Sequence, residues 1–173
     1  MFERYRFDLD AYVRRARTGP CFVCAIVSRD PDFPEHHVSN EDDETIAFLN
    51  KYPTQYGSAL VAPKKHREQV AGVFTREEYL ALQRVVHRVA EAVREEVGAD
   101  RDYLLSLGSN EGNAHVHWSI VPLPSGVPYE EQQFAALMVE RTGVLKIPEE
   151  EKASLAARLG CRMGRSQETD FGG

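Results

Sequence analysis

The chain has 173 residues, of which 42% are hydrophobic and 28% are charged, and its formal net charge is −6. This length favours one compact domain over two, and no apolar run approaches the ~20 residues that a membrane span needs. The acidic balance argues against broad nucleic-acid binding, because phosphate neutralisation requires a concentrated basic face. A small phosphorylated ligand remains compatible with the local basic cluster of Lys64, Lys65 and Arg67.

The N-terminal residues 1–17 are charged throughout and lack the apolar centre of a secretory signal. We therefore expect a cytoplasmic protein, and its three cysteines fit a reducing compartment. Residues 21–27 alternate small and apolar side chains, a pattern typical of a turn that enters a strand or a short helix. Residues 45–49 and 58–62 predict strands, because short apolar runs there are bounded by Pro and Gly.

A long helix is predicted over residues 75–97. Thr75 and Glu78 have the spacing of a capping box, in which each side chain bonds the backbone N–H of the other residue. Apolar residues then recur at helical spacing and end before Gly98, a typical C-terminal residue for a helix. They are Leu82, Val85, Val86, Val89, Val93 and Val97.

Two further strands are predicted over residues 103–107 and 114–121, joined by a polar, glycine-containing turn that is suited to approach a ligand. Helices are predicted over residues 129–140 and 149–159, the second ending at Gly160. The predicted fold class is therefore α+β, with an antiparallel sheet and one long helix packed against it.

Residues 115–122 carry two histidines at strand spacing. Side chains alternate across a strand, so His115, His117 and Ser119 are expected on one face while the residues between them enter the core. Imidazole attacks electrophiles, moves protons and binds metals near neutral pH. The alternative is a strand whose histidines lie at an exposed edge without a chemical role. His36 and His37 are interpreted as surface residues.

Five blocks of the chain resemble, in the same order, the blocks of the histidine triad superfamily. They are CFVC at 21–24, AFLN at 47–50, GSALVAPKKH at 57–66, NEG at 110–112 and HVHWSIVP at 115–122. The resemblance covers about residues 19–124 and includes the long helix.

This resemblance implies a histidine triad-like domain over residues 19–125. Residues 1–18 would form an N-terminal extension, residues 126–160 a C-terminal helical segment, and residues 161–173 a flexible tail.

The resemblance also implies a nucleotide hydrolase or nucleotidyl transferase, in most members a homodimer, whose middle triad histidine attacks the α-phosphate of a nucleotide. His117 holds that position and would form a nucleotidyl-histidine intermediate, resolved by water or another acceptor. His115 and Ser119 occupy the other two triad positions. We expect a dimer interface that includes the long helix, since one small sheet leaves an unpaired edge in solvent.

A nucleotide site is implied as well. Asn110 matches the family's phosphate-side asparagine, Asn113 lies in a turn that would face the ligand, and Asn50 falls where many members place a ribose-binding aspartate. The apolar pocket for the base corresponds to Phe22, Val23, Ile26, Phe48 and Leu49. Plain core packing is the alternative for three of these residues, Phe22, Ile26 and Phe48.

Two positions depart from the family pattern: Ser119 replaces the third histidine, and Ser58 follows Gly57 where histidine is common. Serine donates hydrogen bonds but cannot exchange protons near pH 7, and losing a general acid typically costs on the order of 100-fold to 10,000-fold in rate. The transferase branch of the superfamily has glutamine at the third position. The enzyme hypothesis therefore stands beside two others, a non-catalytic nucleotide-binding protein and an interaction protein in which the dimer and a metal matter.

Cys21 and Cys24 form a Cys-x-x-Cys pair. In a subset of bacterial histidine triad proteins such a pair binds structural zinc together with two histidines, which here correspond to His66 and His115. Two thiolates and two imidazoles satisfy tetrahedral zinc and would clip three segments together. A redox pair and plain buried thiols are the alternatives.

Overall fold

The computed structural model describes residues 2–33 and 36–169, with side chains through residue 164. In chain order the elements are β1 (Arg4–Tyr5), α1 (Leu9–Thr18), α2 (Phe22–Ser28), β2 (Val38–Glu41), β3 (Thr45–Leu49), β4 (Ala59–Pro63), α3 (Arg76–Val97), β5 (Arg101–Leu105), β6 (Trp118–Leu123), α4 (Phe134–Leu137), α5 (Val139–Thr142), β7 (Val144–Leu145) and α6 (Glu149–Thr169). Strands β1 and β7 form a separate antiparallel pair. None of the described helices combines the length and the apolarity that crossing a bilayer requires.

Strands β2 to β6 form one antiparallel sheet in the order β2-β3-β4-β6-β5. Successive side chains of β3 point to opposite faces, as strand geometry requires. Ala47 and Leu49 pack with α3 and α6, whereas Ile46 and Phe48 pack with α2. Each face of the sheet therefore has its own apolar core. The prediction of an α+β fold on an antiparallel sheet is confirmed.

The predicted capping box at the start of α3 is also confirmed. The Thr75 hydroxyl accepts a bond from the Glu78 backbone N–H at 3.1 Å, and the Glu78 carboxylate accepts one from the Thr75 N–H at 2.8 Å. Gly98 ends the helix in the left-handed region, with φ of 65°. The apolar stripe between these caps is buried against the sheet and α6, which makes α3 the main support of that face.

The C-terminal helices differ from their prediction. The segment predicted as one helix over 129–140 is broken, because Gln133 adopts a φ of 56° between the short turn Tyr129–Glu131 and α4. Helix α6 does not end at Gly160 but continues to Thr169. A Cβ at Gly160 would lie 2.7 Å from the Ser39 carbonyl oxygen, so this glycine permits close packing on β2 rather than ending the helix. Residues 170–173 of the predicted tail lie outside the described residues.

Candidate functional site

A cavity of about 490 Å³ opens on the α2 face of the sheet, where α1, α2 and the segment entering β6 meet. Its lining residues are Tyr12, Arg15, Ala16, Thr18, Gly19, Pro20, Phe22, Phe33, His36, Phe48, Asn50, Lys51, Tyr52, Leu60, Asn113, His117 and Ser119. A larger cavity of about 690 Å³ lies near β7, but its described lining contains no histidine or cysteine. We therefore place the candidate chemistry in the smaller cavity.

His117 is buried in the wall of this cavity. Its Nδ1 lies 2.8 Å from the carbonyl oxygen of His115, and because a carbonyl only accepts, Nδ1 carries the proton and donates. Burial lowers the pKa of His117, and the bond to the carbonyl opposes that shift only in part. The lowered pKa favours the neutral ring, whose lone pair is then on Nε2. Phe22 packs edge-on against the ring, with centroids 5.4 Å apart.

His115 does not share this cavity, contrary to the prediction of one face for all three triad positions. Strand β6 begins only at Trp118, so His115 and His117 precede it and do not follow strand alternation. The backbone N–H of Val116 instead donates to the Arg67 carbonyl at 2.7 Å. His117 and Ser119 line the cavity, while the fully buried His115 turns towards the two cysteines.

Cys21, Cys24, His66 and His115 form a second site, here called the Cys–His cluster. Each directs one ligand atom into the same volume, and the four atoms lie within 4.8 Å of one another. Cys21 Sγ is 3.3 Å from His115 Nδ1, and Cys24 Sγ is 3.4 Å from His66 Nδ1. Tetrahedral zinc with bonds of about 2.0–2.3 Å holds its ligand atoms roughly 3.3–3.8 Å apart, and both of these sulfur–nitrogen distances lie in that range.

The outer nitrogens of both histidines support the same interpretation. His115 Nε2 lies 2.8 Å from the Pro63 carbonyl oxygen, and His66 Nε2 lies 3.1 Å from a carboxylate oxygen of Glu68. These acceptors keep the protons on Nε2 and leave the lone pairs on Nδ1, which faces the thiols. Histidines that bind metals commonly have such outer partners. The four predicted ligands are therefore brought together and oriented.

The Cys24 thiol lacks the lowered pKa that is typical of a redox-active cysteine. Burial, with a further contribution from Cys21, raises the pKa of the Cys24 thiol to about 11. Redox-active cysteines have a lowered pKa instead, because the thiolate is the reactive form. A coordinated cation deprotonates such thiols, so a metal site fits this burial better than a redox site does.

The predicted nucleotide residues divide between cavity and core. Those that line the cavity are Phe22, Phe48, Asn50 and Asn113. Val23 and Ile26 are buried in the core between α2 and the sheet, and Leu49 packs on the opposite face with α3. Asn110 is exposed and does not line the cavity. Strand alternation explains why Phe48 and Leu49 cannot face the same ligand.

Two residues of the predicted basic cluster form ion pairs within the chain. Ser58, the second serine that differs from the family pattern, is hydrogen-bonded. Lys64 forms an ion pair with Glu41 at 2.8 Å, and Arg67 bonds the Glu78 carboxylate. Ser58 is buried and its hydroxyl donates to the Gln55 carbonyl at 2.7 Å. Neither Ser58 nor the basic cluster lines the cavity, so neither would contact a ligand bound there.

The sequence motifs did not indicate the part of the cavity wall that α1 forms. Tyr12, Arg15, Ala16 and Thr18 line the cavity, as does His36, which the sequence assigned to the surface. A signal for α1 was present, since the Asp8 carboxylate accepts a bond from the Ala11 N–H as an N-cap at 2.9 Å. Apolar residues follow Asp8 at helical spacing, but the five charged side chains between residues 8 and 17 conceal that pattern.

Known proteins are similar to this chain in sequence. A family model described as HIT domain matches residues 33–125, just over half of the chain. An uncharacterized HIT-like protein of Saccharolobus solfataricus is 30% identical over 112 residues, which are 62% of this chain and 77% of the relative. An uncharacterized HIT-like protein of Borreliella burgdorferi is 26% identical over 106 residues, which are 59% of this chain and 74% of the relative.

Solved structures share the fold. The crystal structure of a hypothetical histidine triad nucleotide-binding protein from Sulfolobus tokodaii has a TM-score of 0.66 at 26% identity, and the match covers 85% of this chain and 94% of that one. A zinc-bound histidine triad family protein from Mycobacterium smegmatis has a TM-score of 0.62 at 22% identity, covering 86% and 96% of the two chains.

Proposed function

Because this chain belongs to the HIT family, we propose that it binds a nucleotide in the cavity and cleaves a nucleoside phosphate through a covalent nucleotidyl-His117 intermediate. Family membership supports nucleotide binding and hydrolase or transferase chemistry in general. The substrate bond would be a phosphoanhydride or a phosphoramidate, and the acceptor water or another nucleophile.

The observation that carries this proposal is the hydrogen bond from His117 Nδ1 to the His115 carbonyl. It leaves the lone pair of a neutral imidazole on Nε2, in a side chain that lines the cavity. A pre-oriented, unprotonated nitrogen is what a nucleophile requires. Attack forms the Nε2–phosphorus bond and breaks the bond to the leaving group, which keeps the electron pair. Water or another acceptor then breaks the Nε2–phosphorus bond.

The other cavity residues support nucleotide binding by their chemistry. Phe22 and Phe48, with ring centroids 6.3 Å apart, offer aromatic faces and edges to a base. The Asn50 side-chain oxygen accepts the Tyr52 N–H at 2.9 Å, and the amide oriented by this bond would contact the ribose. Asn113 has a φ of 52° and presents its turn to the same cavity.

The test is mass spectrometry of the full chain quenched during turnover of adenosine and guanosine phosphoramidates and dinucleotides. We expect a mass increase of one nucleotidyl group on the peptide that contains His117, and none in His117→Ala. Turnover that persists in His117→Ala would contradict the covalent mechanism. Nucleotide binding without an adduct or turnover would favour the second candidate, a binding protein, which the non-titrating Ser119 supports.

We also propose that the Cys–His cluster binds one structural zinc ion. The separations of the four ligand atoms and the outer partners of both histidines support it. Zinc there would hold α2 to the ends of β4 and β6. Its chemistry is structural, because four protein ligands leave no open coordination position for a substrate.

A further inference from the structure

Helix α1 closes one side of the cavity and lies outside residues 33–125, the stretch that matches the HIT family. The Asn113 side-chain amide donates to the Tyr12 hydroxyl, and the Tyr12 ring lies 5.7 Å from that of Tyr52. Gly112 approaches the helix so closely that a Cβ would lie 2.5 Å from the Ala16 carbonyl oxygen. The helix is therefore anchored to the turn that leads into His117.

The charge of the cavity differs from that of the chain. Acidic residues outnumber Lys and Arg by 27 to 21 in the sequence, yet no Asp or Glu is among the described residues that line this cavity. Arg15 and Lys51 do line it, and neither forms an ion pair within the part of the chain that the structure describes. By contrast, Arg17 on the same helix pairs with Glu111 at 2.6 Å. An unneutralised guanidinium at a cavity mouth attracts an anion.

The leaving group determines what the cavity must supply beside His117. An amine or alkoxide needs a proton from a general acid, which Ser119 cannot provide near pH 7. A phosphate, whose second pKa is about 6, departs as an anion and needs neutralisation instead. The planar guanidinium of Arg15 supplies charge and paired N–H donors that match phosphate oxygens.

We propose that Arg15 binds the phosphate next to the α-phosphate and makes the site selective for nucleoside phosphoanhydrides. The inference rests on the proposed function. As the bond from His117 Nε2 to the α-phosphorus forms, the bond to the bridging oxygen breaks and its electron pair stays on the departing phosphate beside Arg15. Water then bonds to the phosphorus, the electron pair of the Nε2–phosphorus bond returns to Nε2, and the proton of water passes to solvent.

Equilibrium titration of the full chain tests this role. The probes are AMP and α,β-methylene-ADP, whose carbon bridge resists cleavage, and the equivalent guanosine pair. Within each pair the base and ribose contributions cancel, so the ratio of the two Kd values reports the added phosphate. We expect the methylene diphosphate to bind roughly tenfold tighter than the monophosphate in wild type. The matched variant Arg14→Gln, on the same helix but not in the lining, should keep that ratio.

In Arg15→Gln the ratio should fall to about one while the Kd for AMP changes little, and Arg15→Lys should keep part of the ratio because it retains the charge. Thermal melting of all three variants should match wild type, since Arg15 is exposed. Equal ratios in wild type and Arg15→Gln would overturn the inference, and so would failure of both nucleotides to bind.

Turnover measured in parallel separates this inference from the proposed function. A normal binding ratio without turnover supports the role of Arg15 and contradicts the enzyme proposal. Turnover of ADP that is unaffected by Arg15→Gln leaves the enzyme proposal intact and overturns the role of Arg15.

Discussion

Ser119 differs from His117, the other triad residue in the cavity wall, in its acid–base chemistry. It lines the cavity with His117 and lies in β6 opposite Leu60 and Leu105, so its position is set by the ladder of the sheet. Its hydroxyl has no titration near neutral pH, whereas an imidazole at the same place would. The strand therefore fixes Ser119 rigidly at a position where a proton donor could act. Serine does not protonate a departing amine near pH 7.

We predict that Ser119→His raises turnover of adenosine 5′-phosphoramidate at least tenfold, because a general acid contributes on the order of 100-fold or more when well placed. Steady-state product formation measures the change. Ser119→Ala is the matched control and should remain near the wild-type rate if the hydroxyl transfers no proton. A rate for Ser119→His at or below wild type would contradict the prediction.

Among the secondary-structure elements, three tertiary contacts join helices to the elements beside them. The Cys–His cluster connects α2 to the sheet, Gly112 lets its turn meet α1, and Glu96 connects α3 to α6. Each contact joins segments far apart in sequence, so each can be weakened by one substitution without changing the local structure of a helix.

Removing zinc should loosen α2. We predict about one zinc ion per chain in protein purified without chelator, since four ligands form one closed site. Cys21→Ser should lower the melting temperature and the zinc content, because structural zinc contributes several kcal/mol to folding. Cys161→Ser, an exposed thiol on α6, is the matched control and should change neither. Elemental analysis with far less than stoichiometric metal, or unchanged melting of Cys21→Ser, would refute the site.

Gly112→Ala should undock α1. Gly112 and Gly126 both have positive φ, of 119° and 77°, so alanine costs about 1–2 kcal/mol of backbone strain at either site. Only at Gly112 does the added Cβ also collide with Ala16, since nothing lies within 4 Å of a Cβ at Gly126. Tryptic cleavage within α1 should therefore accelerate in Gly112→Ala and not in Gly126→Ala. Equal cleavage rates would show that this contact does not hold the helix.

Glu96 should make the free energy of unfolding depend on pH in the acid range. Burial acts to raise its pKa, but hydrogen bonds from Arg162 and Arg158, at 2.7 and 2.5 Å, outweigh burial and lower the pKa below 4.5. Because the folded-state pKa is lowered, the stabilisation is complete above the unfolded value and is lost as pH falls below 4.5 through the folded value.

Glu96→Gln should accordingly cost about 1–3 kcal/mol in urea unfolding at pH 7 and flatten the loss of stability below pH 4.5. Glu95 also pairs with Arg162 but is 67% exposed, so Glu95→Gln should cost less than about 0.5 kcal/mol. An unchanged acid slope in Glu96→Gln would show that other carboxylates control it.

At the scale of the whole molecule, the five-stranded sheet has two edge strands, β2 and β5. Strand β5 is one edge, and it carries the exposed Leu104, with the exposed Leu107 just beyond it. The apolar stripe of α3 packs within the chain against the sheet and α6. An interface that includes α3, as expected from the sequence, would therefore use the outer side of this helix.

We predict a homodimer that covers β5 and the outer side of α3, because an exposed apolar edge strand favours pairing. Light scattering at tens of micromolar should give twice the monomer mass. Leu104→Lys should produce monomers, whereas Val38→Lys at the opposite sheet edge should not. A monomer mass for wild type at that concentration would refute the prediction.

The sequence by itself determined the features that depend only on residues close together in the chain. The caps and apolar stripe of α3 lie within one segment, and local hydrogen bonds and periodicity are sufficient to specify a helix. The blocks around His66, His115 and His117 likewise carried the family resemblance, which the HIT domain match confirms. These properties can be predicted from the sequence because they do not depend on how distant segments pack together.

Only the tertiary structure decided which groups face one cavity. Residues 115–117 leave strand alternation, so His115 joins the cysteines while His117 stays with Ser119. Arg15 reaches the same cavity from the other end of the sequence, while the conspicuous Lys64 is neutralised by Glu41. Such placements depend on contacts between segments distant in sequence, and their energies arise only when the chain has closed around its two cores.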